Sequence, residues 1–491
     1  MSIADKTIKA VRVSVMATLL SGLLQVGTTV IMARLLTPAE YGLVAGALVL
    51  VAPLSMILFG GLERALVLQD TLPETALDAV FWGSLGLAGL GAIGLAGLAG
   101  LGLAGFYQGQ LAGILLACTP LLAGSALAAL YRALLRRHFA FGRLAAADLA
   151  SQFLGPGLVA ILAAVQGWGA YAIVAGMLAQ SAVQTLLLAW FAGHQPHWRL
   201  NLPAAHPILR ASLSLSGTSV LEVVHARLPA AIIGLGLGEV ALGLFNRAYL
   251  LVQLPLEVPA TTVTKVLFGG LAQWRHDLDR LRRAAAALVE TGAAVVLPVC
   301  AGMALAAPEL VATLLGPQWD AAVPLIPWLC LGGAAAMIGH FFAMLNEAAL
   351  RLRERFRIQC FTLLVSGAAL LLAVRFDLRA AAAAAALGAL LFLLLHVRLA
   401  VHVLHIAPGK ILLWLLPGAV AALACAGALL ALRPLLPGEL AAPWRLGLDI
   451  AACGLCLPLV YGLLFRRLLA DLWRYAGLPS RAATDRGSRN Q

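Results

Sequence analysis

The sequence predicts an all-α integral membrane protein with about 14 transmembrane helices in two lobes that face a shared wet cavity. Three observations support this fold class. Of the 491 residues, 62% are hydrophobic and only 11% are charged, a composition that excludes an ordinary soluble domain. Apolar stretches long enough to cross a bilayer core of about 30 Å recur along the chain. The polar pattern of the first apolar stretch also returns in the middle of the chain.

The first predicted span, 11–33, is almost entirely apolar but carries polar residues at steps of three or four. At 100° per residue these positions form a narrow stripe on one helix face, which prefers protein or water to lipid. The stripe residues are Ser14, Thr18, Ser21, Gln25 and Thr28.

The same pattern opens the second half about 198 residues later. Its members are Arg210, Ser212, Ser216 and Ser219, and the stripe continues to Arg227. A polar-striped helix at the start of each half predicts two lobes around one cavity.

Fourteen spans are predicted, and their positions set the orientation of the chain. They are 11–33, 41–60, 79–104, 110–131, 149–168, 171–193, 212–236, 240–264, 285–313, 323–345, 359–376, 380–402, 411–432 and 446–465. Of the 34 Lys and Arg residues, 27 fall on the side that holds the N-terminus and seven on the other side. The positive-inside rule therefore places both termini in the cytoplasm, including the polar tail 466–491.

Most of the cations behind the net charge of +12 lie in short loops, as the positive-inside rule requires. No nucleic-acid partner is therefore expected. The seven cysteines lie in or beside apolar spans and predict no disulfide framework. Cys453 and Cys456 form a CxxC pair without His or acidic neighbours, and we expect no metal or cofactor there. No catalytic constellation appears at usable spacing, so an enzyme is not expected.

Polar residues inside the membrane are functional candidates, because burying them is costly. In the eighth span, Asn246, Gln253 and Glu257 share one helix face, and Arg247 flanks them. Arg247 lies about 10 Å and Arg227 about 13 Å inside the outer ends of their helices. Both arginines are predicted to face the cavity at similar depth, although each could instead extend to the outer headgroups.

Two carboxylates lie near these stripes, Glu257 on that of the eighth span and Glu222 beside that of the seventh. Either could bind a coupling ion or serve as the partner of an arginine. The sequence leaves both alternatives open.

Four stretches resemble the bacterial polysaccharide transporter (Wzx-type) oligosaccharide flippases of the MOP superfamily, which also holds the MATE exporters and the lipid II flippase MurJ. They are ARLLTPAEYG at 33–42, LGEVALGLFNRAYLLVQLP at 237–255, VLFGGLAQWRHDLDRLRRA at 266–284 and LLGPQWDAAVPLIPWL at 314–329. The resemblance covers about residues 8–360.

This resemblance implies two pseudo-symmetric six-helix lobes, 1–193 and 212–402, around a central cavity, plus two C-terminal helices within 411–465. It implies a cargo of oligosaccharide repeat units on undecaprenyl pyrophosphate, moved across the bacterial inner membrane for lipopolysaccharide or exopolysaccharide synthesis. Membrane lipids, a polysaccharide polymerase and export machinery are the implied partners. The expected cargo-binding residues are Arg227, Arg247, Gln25, Asn246, Gln253, Ser21 and Ser219, since hydroxyls and amides hydrogen-bond sugars and arginines hold pyrophosphate.

The competing hypothesis is a cation-coupled, MATE-like exporter of small amphipathic molecules. That activity would favour an acid-dominated cavity, whereas arginines are conspicuous in these spans. A polymerase or ligase would need a sizeable external loop to carry its catalytic residues. The predicted external loops are short, which counts against an enzyme of this kind.

Overall fold

The computed structural model describes residues 3–69, 72–100, 110–198, 201–273, 277–435, 437 and 440–465, and within these ranges every regular element is a helix. Twelve of the described helices are long and apolar enough to cross a membrane, and Leu20–Leu35 is a shorter apolar helix. The prediction of an all-α, multi-pass membrane protein is confirmed. The predicted tail 466–491 lies outside the described residues.

The first half of the chain folds into nine α-helices and one π-helix. They are α1 Ile3–Leu35, α2 Pro38–Phe59, α3 Leu62–Val67, α4 Glu74–Gly100, α5 Gln110–Cys118, α6 Pro120–Arg137, α7 Phe141–Gln152, the π-helix Phe153–Val159, α8 Ala160–Val165 and α9 Ala170–Ala192. Several predicted spans are therefore interrupted. α6 begins at Pro120, and Pro156 lies inside the π-helix, because proline lacks the N–H that an uninterrupted α-helix needs.

The second half continues with eight α-helices and two short 3-10 helices. They are α10 Leu202–Gln273, α11 Leu278–Leu305, α12 Ala307–Leu314, the 3-10 helix Pro317–Leu325, α13 Ile326–Ala348, α14 Leu352–Ala373, α15 Leu378–Leu404, α16 Pro408–Leu432, the 3-10 helix Arg433–Leu435 and α17 Ala442–Leu464.

The 72-residue α10 consists of two helices that meet at Gly238. Gly238 has φ 82° and ψ −175°, a conformation that is open to glycine and costly for residues with a Cβ. This break lies between the predicted spans 212–236 and 240–264. The apolar part of α10 is one of the twelve candidate spans. Counting its two parts separately and adding α1 gives the predicted number of about 14 spans.

The chain forms two compact units. The first comprises Met1–Arg247, Leu314–Gln318 and Leu370–Ala381, and the second comprises Ala248–Thr313, Trp319–Ala369 and Ala382–Gln491. In the first unit α9 packs against α6, α7 and the π-helix, and α1 packs against α7. In the second unit α11 packs against α13 and α16, and α16 packs against α17. The predicted domain boundaries at 193, 212, 402 and 411 remain predictions.

Candidate functional site

The helices of the first unit line an open cavity of about 110 Å³. At roughly 30 Å³ per water molecule, this volume has room for three or four waters or a small headgroup, and not for an oligosaccharide. The cavity is lined by Thr28, Thr29 and Met32 of α1, Tyr41 of α2, Pro156 of the π-helix, Ala160 of α8, Ile173, Gly176 and Met177 of α9, and Arg247 of α10.

The start of α2 is fixed by a capping box, which orients Tyr41. The backbone N–H of Thr37 donates to Glu40 Oε2 at 2.7 Å, and the N–H of Glu40 donates back to Thr37 Oγ1 at 3.4 Å. Both exchanges satisfy N–H groups that have no partner within the helix.

Two glycines let α10 approach α2 with backbone in contact with backbone. A Cβ built on Gly42 would lie 1.8 Å from the carbonyl oxygen of Glu239, and one built on Gly243 would lie 1.8 Å from that of Pro38. No other residue type fits at either position without separating the helices. This close crossing brings Arg247, one turn after Gly243, to the ring of Tyr41.

Among the described residues, Arg247 is the one charged residue at the cavity wall. Its Cζ atom lies 3.9 Å from the centroid of the Tyr41 ring, within the range of a cation–π interaction. Arg247 is half-buried, its Nε is buried without a hydrogen-bond partner, and it makes no ion pair with any described residue. Its donors are therefore available to an anion, which would offset the cost of burying this charge.

Two threonines add hydroxyl groups to the wall. Thr28 and Thr29 are both buried, and the Thr28 hydroxyl donates to the carbonyl oxygen of Gln25 at 3.1 Å. Met32, Ile173 and Met177 make the rest of the wall apolar. The arrangement combines one guanidinium, hydroxyl groups and an apolar surround, which suits an anionic group held by few polar contacts.

Of the sequence-predicted cargo residues whose side chains are described, only Arg247 lines this cavity. Asn246 precedes it on α10 and is half-buried, and Arg227 is half-buried away from the cavity wall. Ser21 and Gln25 are half-buried on α1, where the carbonyl oxygen of Ser21 accepts a hydrogen bond from Gln152 Nε2 at 3.0 Å.

The remaining predicted residues lie elsewhere. Gln253 is half-buried in the second unit, and Glu222 is half-buried in the first. The side chains of Ser219 and Glu257 lie outside the described residues. Their predicted roles stay predictions.

Ser216, a serine of the second stripe, connects α10 to the start of α3. Ser212 and Ser216 are buried, and the Ser216 hydroxyl accepts the backbone N–H of Gly61 at 2.8 Å and donates to the Ser212 carbonyl oxygen at 3.0 Å. Gly61 precedes α3, so Ser216 satisfies a buried N–H that has no partner within the helix, where α2 ends and α3 begins. These stripe positions face protein.

The functional candidate that the residue patterns missed is Tyr41. Its signal is its place in the stretch 33–42, which contacts two of the other stretches that carry the family resemblance. Arg247 from 237–255 covers Tyr41, and Gln318 from 314–329 donates through Nε2 to the Ala33 carbonyl oxygen at 2.7 Å. Three separated sequence motifs thus meet in the first unit.

The comparisons with known proteins agree on one family. A family model described as a polysaccharide biosynthesis protein matches residues 31–324. The succinoglycan biosynthesis transport protein ExoT of Rhizobium meliloti (strain 1021) is 31% identical over 308 residues, which are 62% of this chain and 61% of that relative. The lipopolysaccharide biosynthesis protein WzxC of Escherichia coli (strain K12) is 23% identical over 364 residues, 74% of each chain.

Two solved structures share the fold. The lipid II flippase MurJ in an inward closed conformation superposes with a TM-score of 0.74 at 14% identity, over 94% of this chain and 100% of MurJ. An inward-facing MATE family multidrug resistance transporter of the MOP superfamily gives a TM-score of 0.56 at 15% identity, over 78% of this chain and 94% of the transporter. The helical architecture is that of these membrane transporters.

Proposed function

This chain belongs to the polysaccharide biosynthesis protein family, and we propose that it is a flippase for lipid-linked oligosaccharides. Its cargo is an oligosaccharide repeat unit on undecaprenyl pyrophosphate, which it moves by alternating access from the cytoplasmic to the outer leaflet of the bacterial inner membrane. Both termini are cytoplasmic. The sequence matches to a succinoglycan transport protein and a lipopolysaccharide biosynthesis protein support this cargo class.

The main support for this proposal is the position of Arg247 at the wall of a cavity in the first unit. The guanidinium rests on Tyr41 and has no ion pair among the described residues. A planar guanidinium can hold a phosphate oxygen pair through two parallel hydrogen bonds. The cavity volume matches a headgroup phosphate rather than a sugar chain, so Arg247 binds the carrier's pyrophosphate.

Arg227 is the second arginine of this proposal. It is half-buried and, like Arg247, makes no ion pair with any described residue. Asn246, Gln253, Ser21, Gln25 and Ser219 supply weaker contacts to sugar hydroxyls. Glu257 or Glu222 binds the coupling ion, and the membrane potential assists export of an anionic headgroup at about 2.3 kcal/mol per charge per 100 mV.

The alternative, a MATE-like exporter of amphipathic cations, receives less support from this site. The described cavity wall presents a guanidinium and no carboxylate. A cationic substrate next to Arg247 would be repelled. The polymerase and export machinery remain proposed partners, and no catalytic role is proposed.

Transport by the purified protein in proteoliposomes tests this function. The vesicles carry undecaprenyl-pyrophosphate-linked oligosaccharide, and a membrane-impermeant lectin reports the sugar that reaches the opposite leaflet. We expect Arg247→Ala to lower the transport rate at least about tenfold, because a hydrogen bond to a charged group contributes about 1.5–3 kcal/mol. Arg247→Lys should restore part of the rate, since an ammonium keeps the charge without the planar fork.

The matched control is Arg375→Ala, which removes an exposed arginine on the same predicted side of the membrane. This control should transport at the rate of the unaltered protein. Full transport by the double variant Arg227→Ala, Arg247→Ala would contradict the assignment of pyrophosphate binding to these arginines. Absence of transport with the unaltered protein would contradict the proposed function itself.

A further inference from the structure

The chain that leaves α9 folds back onto the start of α4. Gly193 ends α9 with φ 68°, and its N–H donates to the carbonyl oxygen of Ala189 at 3.0 Å. A glycine in this left-handed conformation turns the chain out of the helix. We call the residues that follow, 194–198, the linker segment, because they lead from the predicted lobe 1–193 towards the predicted lobe 212–402.

Two side chains of α4 hold the linker segment. The backbone N–H of His197 donates to Asp78 Oδ1 at 3.0 Å, and Trp82 Nε1 donates to the His197 carbonyl oxygen at 3.0 Å. The rings of Trp82 and Trp198 meet edge to face, with their centroids 4.3 Å apart. Both backbone polar groups of His197 are therefore bonded to α4.

Asp78 is a buried carboxylate that lies next to two histidines. Its side chain is 1% exposed, and its Oδ2 atom is buried without a hydrogen bond to any described residue. His194 Nε2 lies 3.4 Å from Oδ1, and His197 Nδ1 lies 3.8 Å from Oδ2. A buried carboxylate is costly unless a positive charge compensates it. Protonation of a histidine therefore strengthens the docking of the linker segment.

The burial of the two rings indicates which histidine supplies that charge. The His194 side chain is 10% exposed, and both of its ring nitrogens are buried without a hydrogen bond to any described residue. The His197 side chain is 60% exposed, so water screens its attraction to the carboxylate. His194 also lies directly after the last turn of α9, where the helix dipole favours a positive charge.

The other titratable and charged groups around His194 leave this pairing in place. Tyr131 of α6 has its ring centroid 6.5 Å from that of His194, and a phenol is uncharged near neutral pH. Arg143 of α7 donates through Nη1 to the carbonyl oxygen of Phe191, at the end of α9. Glu74, at the start of α4, is exposed. The charge of the site is therefore set by one carboxylate and two imidazoles.

We propose that Asp78 and His194 form a proton-binding site that holds the linker segment on α4. An N–H bond forms at the His194 ring when a hydronium ion gives up its proton, and the imidazolium pairs with the Asp78 carboxylate. The docked segment favours the protonated ring, so docking takes up a proton and weakens as the pH rises. An imidazole changes its charge between about pH 5 and 8, which sets the range of the response.

The site lies beside the predicted spans and not inside them. Asp78 precedes the span 79–104 and His194 follows the span 171–193, at ends that the distribution of Lys and Arg predicts to be cytoplasmic. Cytoplasmic pH therefore acts on the connection between the predicted lobes, and the coupling ion proposed above binds elsewhere. An effect on transport rests on the proposed function, whereas proton-dependent docking does not.

Hydrogen–deuterium exchange of the full chain in lipid nanodiscs measures docking without cargo. The His197 N–H is bonded to the buried Asp78 carboxylate and exchanges when the linker segment leaves α4. After correction for the pH dependence of the exchange chemistry, we expect its protection to fall several-fold from about pH 6 to about pH 8.5. The Trp168 N–H, bonded to the Ala163 carbonyl oxygen at 3.1 Å, is the internal control and should keep its protection.

Two substitutions disable the site, and a third is the matched control. His194→Gln and Asp78→Asn each remove one charge of the pair and should make the protection independent of pH. The Asn side chain keeps an oxygen that can accept the His197 N–H. His197→Gln removes the exposed imidazole and keeps the backbone N–H, so the response to pH should persist.

Equal protection of the His197 N–H at both pH values in the unaltered protein would overturn the proton site. A response that persists in His194→Gln, or one that is lost in His197→Gln, would overturn the assignment of the proton to His194. If Asp78→Asn does not fold, His194→Gln still decides the question, because it alters a side chain beyond the end of α9. Since no cargo is present, these results do not depend on whether the protein moves oligosaccharides.

Discussion

At the residue scale, the cation–π contact with Tyr41 stabilises the Arg247 guanidinium inside a membrane helix. The 3.9 Å distance from Cζ to the ring centroid predicts an interaction of about 0.5–2 kcal/mol. A double-mutant cycle with Tyr41→Leu and Arg247→Gln, followed by unfolding in a denaturing detergent, should show a coupling free energy in this range. Tyr41→Phe keeps the ring face and should retain most of the coupling.

One outcome of this double-mutant cycle would contradict the interaction between Tyr41 and Arg247. If the two substitutions add within about 0.3–0.5 kcal/mol, the residues act independently. In that case the crossing of α2 and α10 alone would position Arg247, and Tyr41 would only fill space at the cavity wall.

At the scale of helices, the crossing of α2 and α10 determines the position of the site. We expect Gly42→Ala to destabilise the fold by about 1–3 kcal/mol, the usual cost of inserting atoms into a packed contact. The reason is the 1.8 Å that separates the added Cβ from the Glu239 carbonyl oxygen. The same variant should lower transport, because separating the helices moves Arg247 away from the cavity.

Gly89→Ala is the matched control, since a Cβ at Gly89 of α4 has no neighbouring atom within 4 Å. In a helix, replacing glycine by alanine at an open site stabilises by about 0.4–1 kcal/mol. The melting temperature of Gly89→Ala should therefore stay equal or rise. Equal stability of Gly42→Ala and Gly89→Ala would contradict the close helix crossing.

At the scale of the whole molecule, the distribution of Lys and Arg predicts the orientation in the membrane. Reporter fusions that end at Gln318 and Pro437 should report the periplasm, and fusions that end at Arg282 and Arg355 should report the cytoplasm. The physical reason is the 27-to-7 division of the 34 basic residues between the two sides. A cytoplasmic signal at Gln318 would contradict the predicted order of spans.

The sequence by itself determined the membrane class, the approximate helix positions and the family, because these depend on local properties. Apolar length and 100° periodicity are properties of one segment. The break at Gly238 fell in the short gap between two predicted spans. The resemblance to oligosaccharide flippases of the MOP superfamily is confirmed by the family match over residues 31–324.

Only the tertiary structure decided which polar groups face protein and which face a cavity. Ser216 and Arg247 both lie on α10, yet Ser216 binds the N–H of Gly61 whereas Arg247 covers Tyr41. A helical wheel gives the direction of a side chain relative to its own helix, and the partner in that direction depends on contacts between segments far apart in sequence.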